Sequence, residues 1–180
     1  MPYLWTVLQL SRYAHKAADV RSSALRTGVR LGVDYGSARI GVARSDPDGL
    51  LASPLTTLPR GPGDIDSLVS LALTHQVIEV VVGLPTSLSG RAGAAAAAAT
   101  DFATTLAGRL NPLPVRLVDE RFTTVLAHDA LRQGGRGSRA RRPVVDQAAA
   151  ALLLQSALDA ERATGRPPGQ PVSPAPGGSG

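Results

Sequence analysis

Apolar and polar positions along the middle of the chain switch repeatedly between a period of two and a helical period. "VRLGVDYG" is a β-type run stopped by Gly36, and "RIGVARSD" follows as its hairpin partner, with Ile40 and Val42 on one face. "LLASPLTTLP" predicts a third strand at a sheet edge, because Pro54 lacks a ladder donor. "DIDSLVSLALTHQ" has apolar residues at 65, 68, 69 and 72, a helical spacing, with Asp64 placed to cap it. "VIEVVVGLP" is β-branched throughout, as in a strand covered on both faces. An alanine-rich helix is expected over roughly 90–110, with Phe102, Leu106 and Leu110 on one stripe, ending at Asn111-Pro112. "PVRLV" predicts another strand, followed by a helix from about Thr123 to Gly134-Gly135 and a last helix containing "VVDQAAAALLLQSALDA". Three strands, helix, strand, helix, strand and two helices make an α/β fold, a mixed sheet with helices on its faces.

The two ends do not follow this pattern. Residues 1–28 mix apolar and basic positions with no clean period; they read as a poorly ordered N-terminal extension or as sequence ahead of the native start. Residues 164–180 are rich in proline and glycine and are expected to be disordered. One domain over 29–163 remains, within the length at which a single core is stable.

Composition narrows the function classes. The chain of 180 residues has no cysteine, which excludes disulfide scaffolds, thiolate zinc sites and cysteine nucleophiles and fits a cytoplasmic protein. No apolar run approaches the roughly 20 residues that span a bilayer. The net charge of +5 points to a polyanionic partner, and eighteen of the 19 basic residues are arginine, whose fork suits phosphate. Aromatics are 3% of the chain, so stacking platforms for single strands are not expected. His15, His75 and His128 are scattered and form no catalytic arrangement.

Three acids stand where apolar or neutral residues belong. Asp34 ends the first strand, Glu120 follows the 115–118 strand, and Asp146 lies within about 40° of Ala150, Leu153 and Ala157 on the apolar stripe of the last helix. If the first strand and the 115–118 strand are neighbours and the last helix crosses them, the three carboxylates converge. Like charges in so small a space raise each other's pKa values, and a divalent metal relieves the conflict. All-oxygen ligands select Mg²⁺ or Mn²⁺, which suits phosphodiester hydrolysis. Taken singly, each acid has a simpler explanation as a helix cap or an arginine partner, since Asp146 is near a helix start and Arg121 adjoins Glu120.

With "VDYGSARIGVA", "VVGLPTSLSG", "DERFTT" and "VVDQAAA" in this order and spacing, residues 29–163 resemble the YqgF family of RNase H-like nucleases. That resemblance implies an RNase H-like fold with a five-stranded mixed sheet flanked by helices. It implies a metal-dependent nuclease that matures the 5′ end of pre-16S rRNA, or a Holliday junction resolvase acting on branched DNA. It assigns Asp34, Glu120 and Asp146 to the family's three metal-binding acidic positions. It also places Arg121 beside the site, with Gly83, Thr86 and Ser87 bordering the substrate groove. The chain departs from the family where lysines are common. Ala38, followed by Arg39, stands after the first turn, and Pro143 and Val144 stand before the last acid, with Arg142 the nearest base.

The stretch "RQGGRGSRARR" carries arginines 132, 136, 139, 141 and 142 and no acid, and reads as a phosphate-gripping loop leading to Asp146. Arg39, Arg121, Arg136, Arg139, Arg141 and Arg142 are thus the expected substrate contacts, with nucleic acid as the partner. Two readings compete with a nuclease. "VDYGSARIGVA" also looks like the phosphate loop of actin/Hsp70-type nucleotide-binding proteins, although that architecture clamps its nucleotide between two domains. A nucleic-acid-binding module with weak or no catalysis is the other. No feature of the sequence specifies an oligomeric state.

Overall fold

The computed structural model describes residues 26–85, 92–120 and 142–174. Six strands form one sheet: β1 (Arg30–Tyr35), β2 (Arg39–Ser45), β3 (Ala52–Pro59), β4 (Glu79–Leu84), β5 (Val115–Asp119) and β6 (Gln170–Pro171). Their spatial order is β3-β2-β1-β4-β5-β6. β1 pairs antiparallel with β2 and parallel with β4, which in turn pairs parallel with β5. β3 is the edge expected from its prolines, and the ladder with β2 shifts register between Val42 and Ala43, opposite Pro54.

Three helices cover the sheet: α1 (Asp64–Thr74), α2 (Ala92–Leu110) and α3 (Arg142–Thr164). α1 and α2 bury Leu68, Phe102, Leu106 and Leu110 against Leu31, Val33, Ile40, Val80 and Val82 on one face. α3 packs on the other face, where Ala150, Leu153, Leu154, Ala157 and Leu158 meet Ala43, Val81 and Val118. The alternation along β1 explains both cores: odd-numbered Leu31 and Val33 face α1 and α2, and the even-numbered residues face α3. Gly32 is the contact point, since a Cβ there would stand 2.7 Å from Leu154 Cβ and 3.0 Å from the Ala150 carbonyl oxygen. Lacking that Cβ, the sheet admits the backbone of α3 almost into its surface.

Four expectations need correcting. The sheet has six strands, because part of the tail expected to be disordered adds one. Arg116 donates to the carbonyls of Pro168 and Gly169, and Val172 N–H donates to Val115 O at 2.9 Å. A two-residue strand needs only backbone partners and one apolar anchor, so a proline-rich composition does not forbid it. Residues 175–180 lie outside the described residues. Second, Asp64 is the first residue of α1 and not its cap. Gly63 takes the cap position in the left-handed region at φ 90°, while the Asp64 carboxylate accepts from Gly61 N–H and Ile65 N–H. Third, the ordered domain starts before residue 29, because Arg26 is built into a buried ion cluster; residues 1–25 lie outside the described residues. Fourth, β1 and β5 are not neighbours, since β4 runs between them. The helix expected from about Thr123 to Gly135 also lies outside the described residues.

That ion cluster marks the Arg30 end of β1. Arg26 donates two bonds to Glu79, both 2.9 Å, and two to Glu161 at 2.7 and 2.9 Å. Arg30 Nη2 reaches both Glu161 oxygens at 3.1 Å, and Arg116 stands 3.9 Å from Glu79. Glu79 is 0% and Glu161 4% exposed.

Candidate active site

The opposite end of β1 carries the acids. Asp34 is even-numbered and therefore lies on the α3 face. Across the antiparallel ladder it pairs with Gly41 of β2. On its other side, one step beyond the Val33–Val82 pair, the parallel register brings it beside Gly83 of β4. Asp34 thus lies in a row between two glycines, and the other two acids occupy the space those glycines leave.

Asp146 stands over Gly41. A Cβ on Gly41 would come within 2.0 Å of the Asp146 carbonyl oxygen, so no other residue admits α3 at this height. The apolar stripe expected to carry Asp146 is present, with Ala150 0%, Leu153 3% and Ala157 1% exposed. Glu120 stands over Gly83. A Cβ there would lie 3.0 Å from Glu120 Oε1 and 3.1 Å from Leu153 Cδ2. Glu120 follows β5 directly, and β5 is separated from β1 by β4. Its side chain therefore lies over the bare backbone of Gly83, the β4 residue beside Asp34, and not on a strand adjacent to β1.

The electrostatics of the three acids differ. Burial, and after it the charge of Asp119, push the Glu120 carboxyl above its ordinary value. Asp146 has a cation in reach: Arg39 Nη1 lies 3.6 Å from Asp146 Oδ2, with both side chains 31% exposed. Arg39 is two residues before Gly41 on the same face of β2, so the sheet register aims it at Asp146. Among the described residues no three acid, histidine or cysteine side chains stand close enough together to hold a metal ion as they are.

The donors are carboxylate oxygens, as Mg²⁺ and Mn²⁺ prefer. Their backbones meet in one row, with glycine at the two positions where a side chain would fill the gap. The chemistry of the donor set suits such an ion, and Asp146 faces the Arg39 guanidinium.

A second group of residues holds the turn after Asp34; the sequence flagged Gly36, Ala38 and Arg39 there, but not Arg60. Gly36 N–H donates to Arg39 O at 3.0 Å, and a Cβ on Gly36 would meet that same oxygen at 2.7 Å. Arg60 N–H donates to Ala38 O at 3.2 Å, and its guanidinium reaches Ser37 O at 3.3 Å. That guanidinium also lies 4.4 Å from the centre of the Tyr35 ring, which stacks on Phe102 at 4.1 Å. Only tertiary structure brings Arg60 to this turn, so its neighbours in sequence carry no signal of it.

Of the other residues singled out in the sequence, Arg39 and Gly83 are at the site. Thr86, Ser87, Arg121, Arg136, Arg139 and Arg141 lie outside the described residues, and Arg142 opens α3.

Comparison with known proteins followed from this geometry. A family model described as "RuvX: Holliday junction resolvase" matches residues 28–160. A protein of Thermobifida fusca named "Putative pre-16S rRNA nuclease" is 60% identical over 159 residues, covering 84% of this chain and 100% of its own. One of the same name from a Nocardioides species is 58% identical over 153 residues, covering 82% and 98%. A solved structure described as "T. thermophilus RuvC in complex with Holliday junction substrate" superposes with a TM-score of 0.53 at 16% identity, over 81% of this chain and 99% of that one. At that identity the likeness establishes the fold, an RNase H-like α/β sheet, and nothing further.

Proposed function

From the premise that the chain belongs to the RuvX (YqgF) family, we propose that it is a nuclease that uses Mg²⁺ or Mn²⁺ to hydrolyse phosphodiester bonds in precursor ribosomal RNA. The observation that carries the reading is the row Gly41–Asp34–Gly83, with Asp146 above one glycine and Glu120 above the other. Glycine at both positions lets the Asp146 backbone and the Glu120 side chain settle onto the two strands that flank Asp34.

Asp34, Asp146 and Glu120 would hold the metal. The chemistry it supplies when bound is activation of a water and neutralisation of charge on the phosphodiester. The protein's own residues do the rest. Asp34 is fixed at the end of a strand whose following turn is tied by Arg60, which keeps its carboxylate in one place. Glu120 lies in a buried position that disfavours its ionised form, so a cation that binds there competes with the carboxyl proton. Arg39 faces the same space and is placed to contact a substrate phosphate. The sequence adds Arg121, Arg136, Arg139, Arg141 and Arg142, whose charge suits a nucleic-acid backbone. Hydrolysis forms one bond from the water oxygen to phosphorus, breaks one P–O bond and delivers a proton to the leaving oxygen.

The family description favours a second reading, a resolvase of four-way DNA junctions. Paired nicks then require two copies arranged symmetrically. One experiment addresses both readings: the full chain is incubated with precursor rRNA fragments and with synthetic four-way junctions, in Mg²⁺, Mn²⁺ or EDTA. Cleavage of the rRNA fragments in either metal and none in EDTA is the expected outcome. Full activity in EDTA would overturn the metal reading. Cleavage of junctions alone would replace RNA with branched DNA as the substrate.

A further inference from the structure

We propose that Arg39 is a stand-in cation on Asp146, which a divalent ion must displace before the site is complete. The inference rests on the metal-nuclease reading above and adds an order of events to it. Three observations carry it. The guanidinium of Arg39 lies 3.6 Å from Asp146 Oδ2, where its positive charge opposes a second cation on that carboxylate. The contact is set by the sheet, since Arg39 and Gly41 share a face of β2 and Gly41 is where the Asp146 backbone rests. No three acids among the described residues are drawn together tightly enough to take an ion unaided.

The pair is also built to exchange. At 3.6 Å it is a charge contact outside hydrogen-bond reach, and both side chains keep 31% of their surface in water. Such pairs are weak enough for a doubly charged ion to replace. The arginines at the other end of β1 cannot be exchanged in this way, because they make paired bonds of 2.7–3.1 Å to buried carboxylates. When an ion takes Asp146, Arg39 is released into the same cleft, where the available anion is a substrate phosphate. Metal binding and phosphate gripping are then one coupled event, and each favours the other by the same factor.

The test is binding of Mn²⁺ to the full chain without nucleic acid, read from the paramagnetic resonance signal of the free ion. Arg39→Ala should bind Mn²⁺ about three- to fivefold more tightly than wild type, the size expected when a half-exposed opposing cation is removed. Arg39→Lys keeps the charge and should stay within about a factor of two of wild type. Arg44→Ala removes the same charge from the same strand away from Asp146 and should leave the affinity unchanged. An Arg39→Ala affinity equal to or weaker than wild type overturns the proposal. So does equal tightening in Arg39→Lys or in Arg44→Ala, since the effect would not then belong to a cation on Asp146. If Asp146→Asn binds Mn²⁺ as wild type does, or no form binds it, the metal reading falls, and the proposal with it.

Discussion

The two ends of β1 treat charge in opposite ways. At the Arg30 end, Glu79 and Glu161 are almost wholly buried, and each is met by a fork of arginine bonds. At the Asp34 end, Asp146 faces a single arginine at 3.6 Å, and Glu120 is pushed towards its neutral form by burial. Charge-assisted, two-pronged bonds offset the desolvation of the first pair of acids and fix the arginines that make them. The second group lies where glycines at 41 and 83 admit the Asp146 backbone and the Glu120 side chain on either side of Asp34. The acids at the Arg30 end are saturated by the chain itself, while on the proposed function those at the Asp34 end take up a cation from outside. Arg30 and Asp34 are four residues apart on one strand, so the contrast comes from what the neighbouring elements bring to each end.

The strongest way to break the comparison is at the saturated end. Arg26→Met removes both hydrogen bonds from Arg26 to Glu79 and two of the four arginine bonds to Glu161, leaving these buried carboxylates under-compensated. Loss of one member of a buried ion cluster should cost about 3–5 kcal/mol in urea unfolding. At the site end, Asp34→Asn and Asp146→Asn should lower metal-dependent cleavage at least about a hundredfold, about 2.7 kcal/mol of barrier. The stability of Asp146→Asn in EDTA should change by less than about 1 kcal/mol, because the Arg39 contact it weakens is a partly exposed pair. A destabilised but active Asp146→Asn protein would make that acid structural and erase the difference between the two ends.

A smaller effect separates glycines that admit the helix from those that admit chemistry. Gly32→Ala drives a Cβ to 2.7 Å from Leu154 Cβ and 3.0 Å from a helix carbonyl, neither of which can swing aside. It should cost about 1–3 kcal/mol of stability and lower cleavage only through loss of folded protein. Gly83→Ala meets instead the end of the Glu120 side chain at 3.0 Å, which can rotate. It should cost about 1 kcal/mol or less and reduce the rate per folded molecule about tenfold, by moving a metal-holding carboxylate. Equal rates per folded molecule in the two variants would show that Gly83 only packs.

The sequence made the site end more legible than the saturated end, for a physical reason. An acid on an apolar helix stripe, or at the end of a β-branched strand, conflicts with local periodicity, and that conflict singled out Asp34 and Asp146. Arg26, Arg30, Glu79 and Glu161 also interrupt apolar surroundings, but each lies at an element end, where a charge looks solvated. Their burial follows from pairing across 53 to 135 residues of separation, which no local pattern records. Glu120 was found from its position after a strand, yet the expected route to Asp34 through adjacent strands was wrong, since strand order depends on which edges the helices cover. Gly41 and Gly83 solve that problem, and their function is visible only once the sheet register is known. The tail misled for the converse reason: its composition excludes a core, but β6 needs none.

The smallest effect, on pH dependence, has opposite sign at the two ends. Burial acts to raise the Glu161 carboxyl, but hydrogen bonds from Arg26 and the charges of Arg30 and Arg26 outweigh it and hold the group below its ordinary value. A depressed acid stabilises the fold above its unfolded pKa, and that stability is lost as pH falls through the folded value. Glu120 is raised, by burial first and by Asp119 second. Its contribution is fully present below the unfolded pKa and is lost as pH rises through the folded one. In EDTA, wild type should therefore lose ground to Glu120→Gln as pH rises from the ordinary carboxylate range through the raised Glu120 value, and hold level above it. On acidification the two proteins should fall together, because both keep Glu161 and its arginines. Added Mn²⁺ should reverse the first trend, since an ion binds the ionised carboxylate, and its stabilisation of wild type should fade as Glu120 takes up its proton. Melting curves across pH for the two proteins, with and without Mn²⁺, check each part. A wild-type curve parallel to that of Glu120→Gln at every pH in EDTA would mean that Glu120 ionises at no cost to the fold, and that this acid is as well compensated as those at the far end.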